Sequence, residues 1–147
     1  MEFKTFIPFV ELLGFELLKF ENGEAEIAIT LREELCNSWS VAHGGVTMTL
    51  LDVVMAHAAR SPGRAGEGQS NGLGVVTIEM KTSFMRPGLG RLLAKGKLVH
   101  ATSSLAFCEA SVTDEKGALV AQASGTFKYL KGLPAGGRKI HRDNASD

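Results

Sequence analysis

Asp52 lies within residues 46–59, a run that is otherwise almost wholly apolar. A carboxylate on a buried helix suffers heavy desolvation unless it has a partner, opens onto a cleft or is protonated. It reads either as a nucleophile or general base at the floor of a pocket, or as a group at a subunit interface or loop cap. His43-Gly44-Gly45 stands just before this run. Unpaired N–H groups at a helix start, aided by the helix dipole, attract anions, and glycine permits close approach. Such amides suit an oxyanion forming on a carbonyl. The plainer alternative is a Gly-Gly turn with His43 as a cap. A helix rises ~1.5 Å per residue, so the Cα atoms of His43 and Asp52, nine positions apart, are separated by roughly 13 Å. No aspartate side chain spans that distance. One chain therefore cannot set both groups round one carbonyl, whereas two antiparallel helices in a two-fold dimer can. An enzyme using both has a site shared between subunits.

Other candidates carry weaker signals. Asn37 can offer an amide near His43, although a loop asparagine is commonly a turn residue. Thr77 falls on an expected strand, where threonine often only fills β space. His57 is about 140° round the helix from Asp52 and reads as a packed or interface histidine. Cys36 and Cys108 form no CxxC or Cys/His spacing, and nothing near Cys36 marks an activated thiolate. His100 and His141 have no partner pattern. With no HExxH or facial-triad spacing, no metal is expected.

These groups need a scaffold. The first thirteen residues carry apolar side chains at roughly helical spacing. From Gly14 the period changes, and Asn22-Gly23 is a tight hairpin signal. Residues 24–31 then alternate, with Ala25, Ile27, Ile29 and Leu31 on one side of a half-buried strand. Residues 46–60 contain no Gly or Pro and are apolar nearly all round, which predicts a buried helix. A Gly-rich loop spans 61–74 and lacks the Gly-Lys-Ser/Thr of a phosphate-binding loop. Strands are expected near 75–85, 91–101, 104–113 and 118–130, with turns at Arg86-Pro87-Gly88 and Asp114-Glu115-Lys116-Gly117. Strands joined by short connections are antiparallel, and one sheet face needs a cover that only the central helix can supply. The fold class is α+β, one sheet wrapped round one helix.

Composition narrows the function. The 147 residues suit one domain; we expect it to occupy 1–131, with 132–147 a flexible C-terminal tail. Sixteen basic and sixteen acidic residues cancel, which argues against an electrostatic nucleic-acid binder. The apolar run is too short for a membrane span, the N-terminus lacks signal-peptide features, and the cysteine usage suits a reducing, cytoplasmic setting.

The stretch Asn37-Ser-Trp-Ser-Val-Ala-His43-Gly44-Gly45-Val-Thr-Met-Thr-Leu-Leu-Asp52 resembles the signature of hotdog-fold acyl-CoA thioesterases of the PaaI (phenylacetate-degradation) type, similar to thioesterase superfamily member 2. Its Asn-to-His and His-to-Asp spacings of six and nine agree with that branch. Ser83-Phe84-Met85-Arg86-Pro87-Gly88 and the pattern from Leu105-Ala106-Phe107 to Gly125 extend the likeness over most of 10–130. The resemblance implies a hotdog fold, a homodimer as the smallest active unit and usually a homotetramer. It implies hydrolysis of an acyl-CoA to free acid and coenzyme A, with no cofactor beyond the substrate's own coenzyme A. Asp52 is then nucleophile or general base, and the Gly44 amide polarises the carbonyl. Asn37 and His43 orient that carbonyl or the departing sulfur, and Thr77 holds the attacking water. Gly45, Val76, Arg86, Thr102, Ser103 and Ser104 are expected to bind substrate. Where relatives often carry Gly-Lys/Arg-Ser/Thr, this chain has Thr102-Ser103-Ser104, whose hydroxyls donate hydrogen bonds without a charge; either Arg86 or Arg91 supplies the cation for the coenzyme A phosphates, or the carrier preference differs. The competing class is a non-catalytic acyl-thioester sensor on the same fold, against which the buried carboxylate argues; a hydratase on that fold is a third reading.

Overall fold

The computed structural model describes residues 1–63 and 74–130. The expected tail and most of the Gly-rich loop lie outside the described residues. Helix α1 (Pro8–Leu13) leads into strands β1 (Glu16–Glu21) and β2 (Glu24–Thr30). Asn22 and Gly23 join them with φ of 52° and 79°. That pair of left-handed residues matches the twist of a two-residue hairpin. A 3₁₀ turn at Glu33–Leu35 precedes helix α2 (Gly44–Arg60), and β3 (Val75–Phe84), β4 (Arg91–Ala101), β5 (Leu105–Thr113) and β6 (Leu119–Tyr129) complete the chain.

All six strands form one antiparallel sheet in the order β1-β2-β4-β5-β6-β3. The alternation read in β2 holds for Ala25, Ile27 and Ile29, which are completely buried; Ala28 on the other side is buried as well, and Leu31 falls just beyond the strand. The expected tight turn at Arg86-Pro87-Gly88 is replaced by a crossing. Strands β3 and β4 do not pair; β3 sits at the sheet's far edge beside β6. Three strand spacings of ~4.8 Å need about 14 Å, and residues 85–90 extended reach ~20 Å. Hydrogen bonds from Met85 N–H to the Val120 carbonyl and from Ala42 N–H to the Gly88 carbonyl hold this crossing down.

Helix α2 lies on one face of the sheet. Its core side carries Leu50, Leu51, Val54, Met55 and Ala58, all fully buried. At Gly96 of β4 a Cβ would come within 2.7 Å of the Val54 carbonyl oxygen, so helix and strand backbones touch there. The expectation that α2 is buried on every side fails for the single chain. Met48 is 37% exposed, and Thr49, Asp52, Val53 and Ala56 are half-buried. One sheet covers one side of a helix; the opposite side of α2 remains uncovered by the described residues.

Candidate active site

The start of α2 is built by the segment before it. Cys36 and Ala42 form an isolated antiparallel bridge, and His43 N–H donates to the Leu35 carbonyl. Between them Asn37 closes the loop, its Oδ1 accepting from Trp39 N–H at 2.9 Å and Val41 N–H at 3.4 Å. His43, in extended conformation, is the N-cap of α2. Its carbonyl accepts from Val46 and Thr47 N–H, and its Nδ1 accepts from Gly45 N–H at 2.9 Å. An N–H donating to Nδ1 puts the neutral ring's proton on Nε2, leaving an outward Nε2–H donor. Of the first four amides of the helix, those of Gly45, Val46 and Thr47 are satisfied. The Gly44 amide has no acceptor among the described residues, so the positive end of the helix dipole is concentrated there.

Asp52 sits two turns along α2, about 12 Å from Gly44 by helical rise. Thr77 of β3 donates its hydroxyl to Asp52 Oδ1 at 2.7 Å. No Lys or Arg pairs with Asp52 among the described residues. The lone pairs of Thr77 Oγ1 and the second carboxylate oxygen remain free to receive the protons of a water molecule.

A bulge in β3 places this contact. Thr77 pairs with Phe127, the register slips at Ile78, and Met80, Thr82 and Phe84 pair with Gly125, Ala123 and Ala121. Phe127 and Ala121 are fully buried, so Thr77 and Phe84 both face α2. Seven residues apart, they would fall on opposite faces of a regular strand; the inserted residue reverses the alternation. One row thus runs from Thr77 beside Asp52 to Phe84 beside Gly44. The Phe84 ring lies 3.7 Å from where a Cβ on Gly44 would be. Along the same row, Thr82 Oγ1 is buried without a hydrogen-bond partner. Sequence reading missed Thr82 altogether and saw Phe84 only as part of a motif, because a bulge leaves no local signature.

The remaining candidates separate. The Gly45 amide is occupied by His43. Val76 points to the opposite sheet face, paired with exposed Lys128, and does not join Thr77. Arg86 follows Phe84 at the Gly44 end. Thr102-Ser103-Ser104 turns at the other end, next to the Leu105–Lys128–Val76 row, and Thr102 Oγ1 accepts from Ser104 and Leu105 N–H. One chain therefore does not unite Arg86 with that turn. Arg91 is already paired at the surface: it donates to Glu16 at 2.7 Å and to the Thr30 hydroxyl at 3.2 Å. The hydrogen bond and charge of Arg91 hold the Glu16 carboxyl below its usual range.

His57 is a core group, as its position on the helix suggested. Its Nδ1–H donates to the Val53 carbonyl at 2.8 Å, its Nε2 accepts from Arg60 at 3.1 Å, and Phe3 and Phe20 meet its ring edge-on. Burial and the Arg60 charge push its pKa down to about 3. Among the described residues no three His, Cys, Asp or Glu side chains converge as metal ligands, and no helix is long and apolar enough to cross a membrane. A groove of about 810 Å³ opens beside α1 and β1, lined by Phe3, Phe6, Ile7, Val10 and Leu17. It contains none of the candidate residues.

Comparison with known proteins places the chain in a family. The sequence profile of the thioesterase superfamily matches residues 40–121. The medium/long-chain acyl-CoA thioesterase YigI of Escherichia coli K12 is 27% identical over 82% of this chain and 84% of its own length. A mutant of the phenylacetic acid degradation protein PaaI from Thermus thermophilus superposes with a TM-score of 0.71 at 30% identity, covering 84% of this chain and 100% of that one. A conserved protein from Pseudomonas aeruginosa gives 0.75 at 29% identity, covering 86% and 97%.

Proposed function

This chain belongs to the thioesterase superfamily and is a thioester hydrolase, and from that premise we propose that its substrate is an acyl-CoA, split by water into a free acid and coenzyme A. The observation that carries the reading is the division of labour along α2. Asp52, held by Thr77 and facing no cation among the described residues, supplies a carboxylate. The unpaired Gly44 amide supplies the donor for the thioester oxygen as negative charge develops on it. In the general-base route Asp52 takes a proton from water, the hydroxide adds to the carbonyl carbon, and the C–S bond breaks with the proton passing to the departing sulfur. In the nucleophilic route the carboxylate adds to the carbonyl carbon, the C–S bond breaks to give a mixed anhydride and the coenzyme A thiolate, and water then cleaves the anhydride to the free acid and the Asp52 carboxylate, its second proton passing to the thiolate. Asn37, through its amide NH₂, and His43, through Nε2–H, orient the carbonyl or sulfur. Arg86 is the cation for the coenzyme A phosphates.

Because the two halves are about 12 Å apart on one helix, the active unit is a two-fold homodimer in which Asp52 of one protomer serves the Gly44 amide of its partner. Two features of the single chain support this. Strand β3 has an unpaired edge ten residues long with Val76 and Ile78 about half exposed, and natural proteins rarely leave such an edge uncovered. The open side of α2, with Met48 and Asp52, is continuous with it. Two such dimers form a homotetramer, acting in the cytoplasm without a metal or separate cofactor.

The test is free-thiol release from short, medium, long and aromatic acyl-CoAs by wild type and Asp52→Asn, with thermal stability measured alongside. The substitution keeps shape and removes charge, so turnover should fall by about 100-fold or more at unchanged melting temperature. A variant within roughly threefold of wild type sinks the assignment of Asp52.

A further inference from the structure

We infer that Phe84 selects the acyl group. This rests on the reading of Gly44 as the carbonyl donor, and it adds the residue that decides which apolar acyl chains are accepted. Phe84 faces α2, by its pairing with buried Ala121, yet 53% of it is exposed. Its Cε1 and Cζ atoms are turned to Gly44. The ring edge therefore packs against the Gly44 backbone, and the exposed half of the ring borders the free amide. Met48, one turn further along the same face of α2 and also exposed, adds a flexible thioether that adapts to different shapes. A thioester oxygen bound to the Gly44 amide brings its acyl substituent next to this exposed apolar wall. Such a surface rewards apolar acyl groups that reach the ring and gives nothing to acetyl.

Phe84→Ala should lower kcat/KM for hexanoyl- and phenylacetyl-CoA by about tenfold or more and leave acetyl-CoA within roughly threefold. Phe84→Leu keeps most of the volume without the ring, so it should shift preference from phenylacetyl- to hexanoyl-CoA by about threefold or more, and it serves if the alanine variant does not fold. Affinity for hexyl-CoA, a thioether that cannot be hydrolysed, gives a readout independent of turnover and should fall about tenfold in Phe84→Ala. Equal losses on all acyl groups, or no loss on any, overturn the proposal. A wild type that binds hexyl-CoA through Phe84 but turns over no acyl-CoA supports the wall and refutes hydrolysis of acyl-CoA. A wild type that does not bind it overturns the wall.

Discussion

Adjacent glycines at 44 and 45 should respond to the same methyl group in opposite ways. At Gly44 a Cβ would meet only the Phe84 ring, at 3.7 Å, an ordinary van der Waals contact. Its φ is not in the left-handed region, so neither backbone nor packing requires glycine. Gly44→Ala should fold within about 1 kcal/mol of wild type, if anything gaining helix propensity. The methyl instead stands beside the free amide and against the Phe84 ring, where the bound acyl group must pack. Overfilling a well-packed apolar site costs about 1–3 kcal/mol, here charged to transition-state binding, which corresponds to a loss of about 5- to 150-fold in kcat/KM.

At Gly45 the Cβ would lie 3.1 Å from His43 Nδ1 and 3.4 Å from Cε1. The imidazole must give by a few tenths of an ångström, which strains the 2.9 Å cap from Gly45 N–H. An N-cap is worth about 0.5–2 kcal/mol, so its strain should outweigh the gain in helix propensity and lower the melting temperature. Thermal melts and thiol-release kinetics on both variants decide the matter. Gly44→Ala with unaltered kcat/KM on every acyl-CoA, or Gly45→Ala as stable as wild type, refutes the reasoning about this helix start.

Two other predictions follow from contacts already described. Thr77→Val removes the donor to Asp52 while keeping shape, and should reduce kcat about tenfold or more, whereas Thr77→Ser should stay within about threefold; equal behaviour of the two in steady-state assays contradicts a role for the hydroxyl. His57 has a pKa in the folded chain lowered from 6.5 to about 3, so its contribution to stability is complete above pH 6.5 and is lost as the pH falls towards 3. Between pH 6.5 and 5 the loss should be on the order of 2 kcal/mol by urea unfolding, and His57→Gln, which does not titrate, should flatten that slope; an equally steep slope in the variant would assign the loss to other groups.

Features encoded by neighbouring residues were legible in the sequence. Asn22-Gly23, the alternation through Ala25, Ile27 and Ile29, and the apolar run of α2 each report on a few residues at a time. Asp52 stood out because a carboxylate conflicts with its surroundings. Positions that depend on the sheet as a whole did not emerge. The crossing that carries β3 to the edge is set by what α2 must cover and by how far residues 85–90 reach. The bulge at Ile78 decides that Thr77 faces Asp52, while Val76 turns to the other side. Arg91 looked available for phosphates because Glu16, 75 positions away, gives no sign in the sequence that it is the partner. Gly44 and Gly45 read as a unit, and only the direction of the His43 ring separates one glycine needed by the fold from one left open to a ligand.

The central claim is that Asp52 of one protomer acts on a carbonyl held by Gly44 of its partner. Mixing Asp52→Asn chains with Gly44→Ala chains, after unfolding and refolding together, tests it most directly. Random pairing makes about half the dimers mixed, each with one intact site of two, so activity should return to about a quarter of wild type, well above the mean of an inactive Asp52→Asn parent and a Gly44→Ala parent that keeps at most about a fifth. If subunit exchange is verified and activity stays at the parental level, both groups act within one chain, and the shared site is wrong.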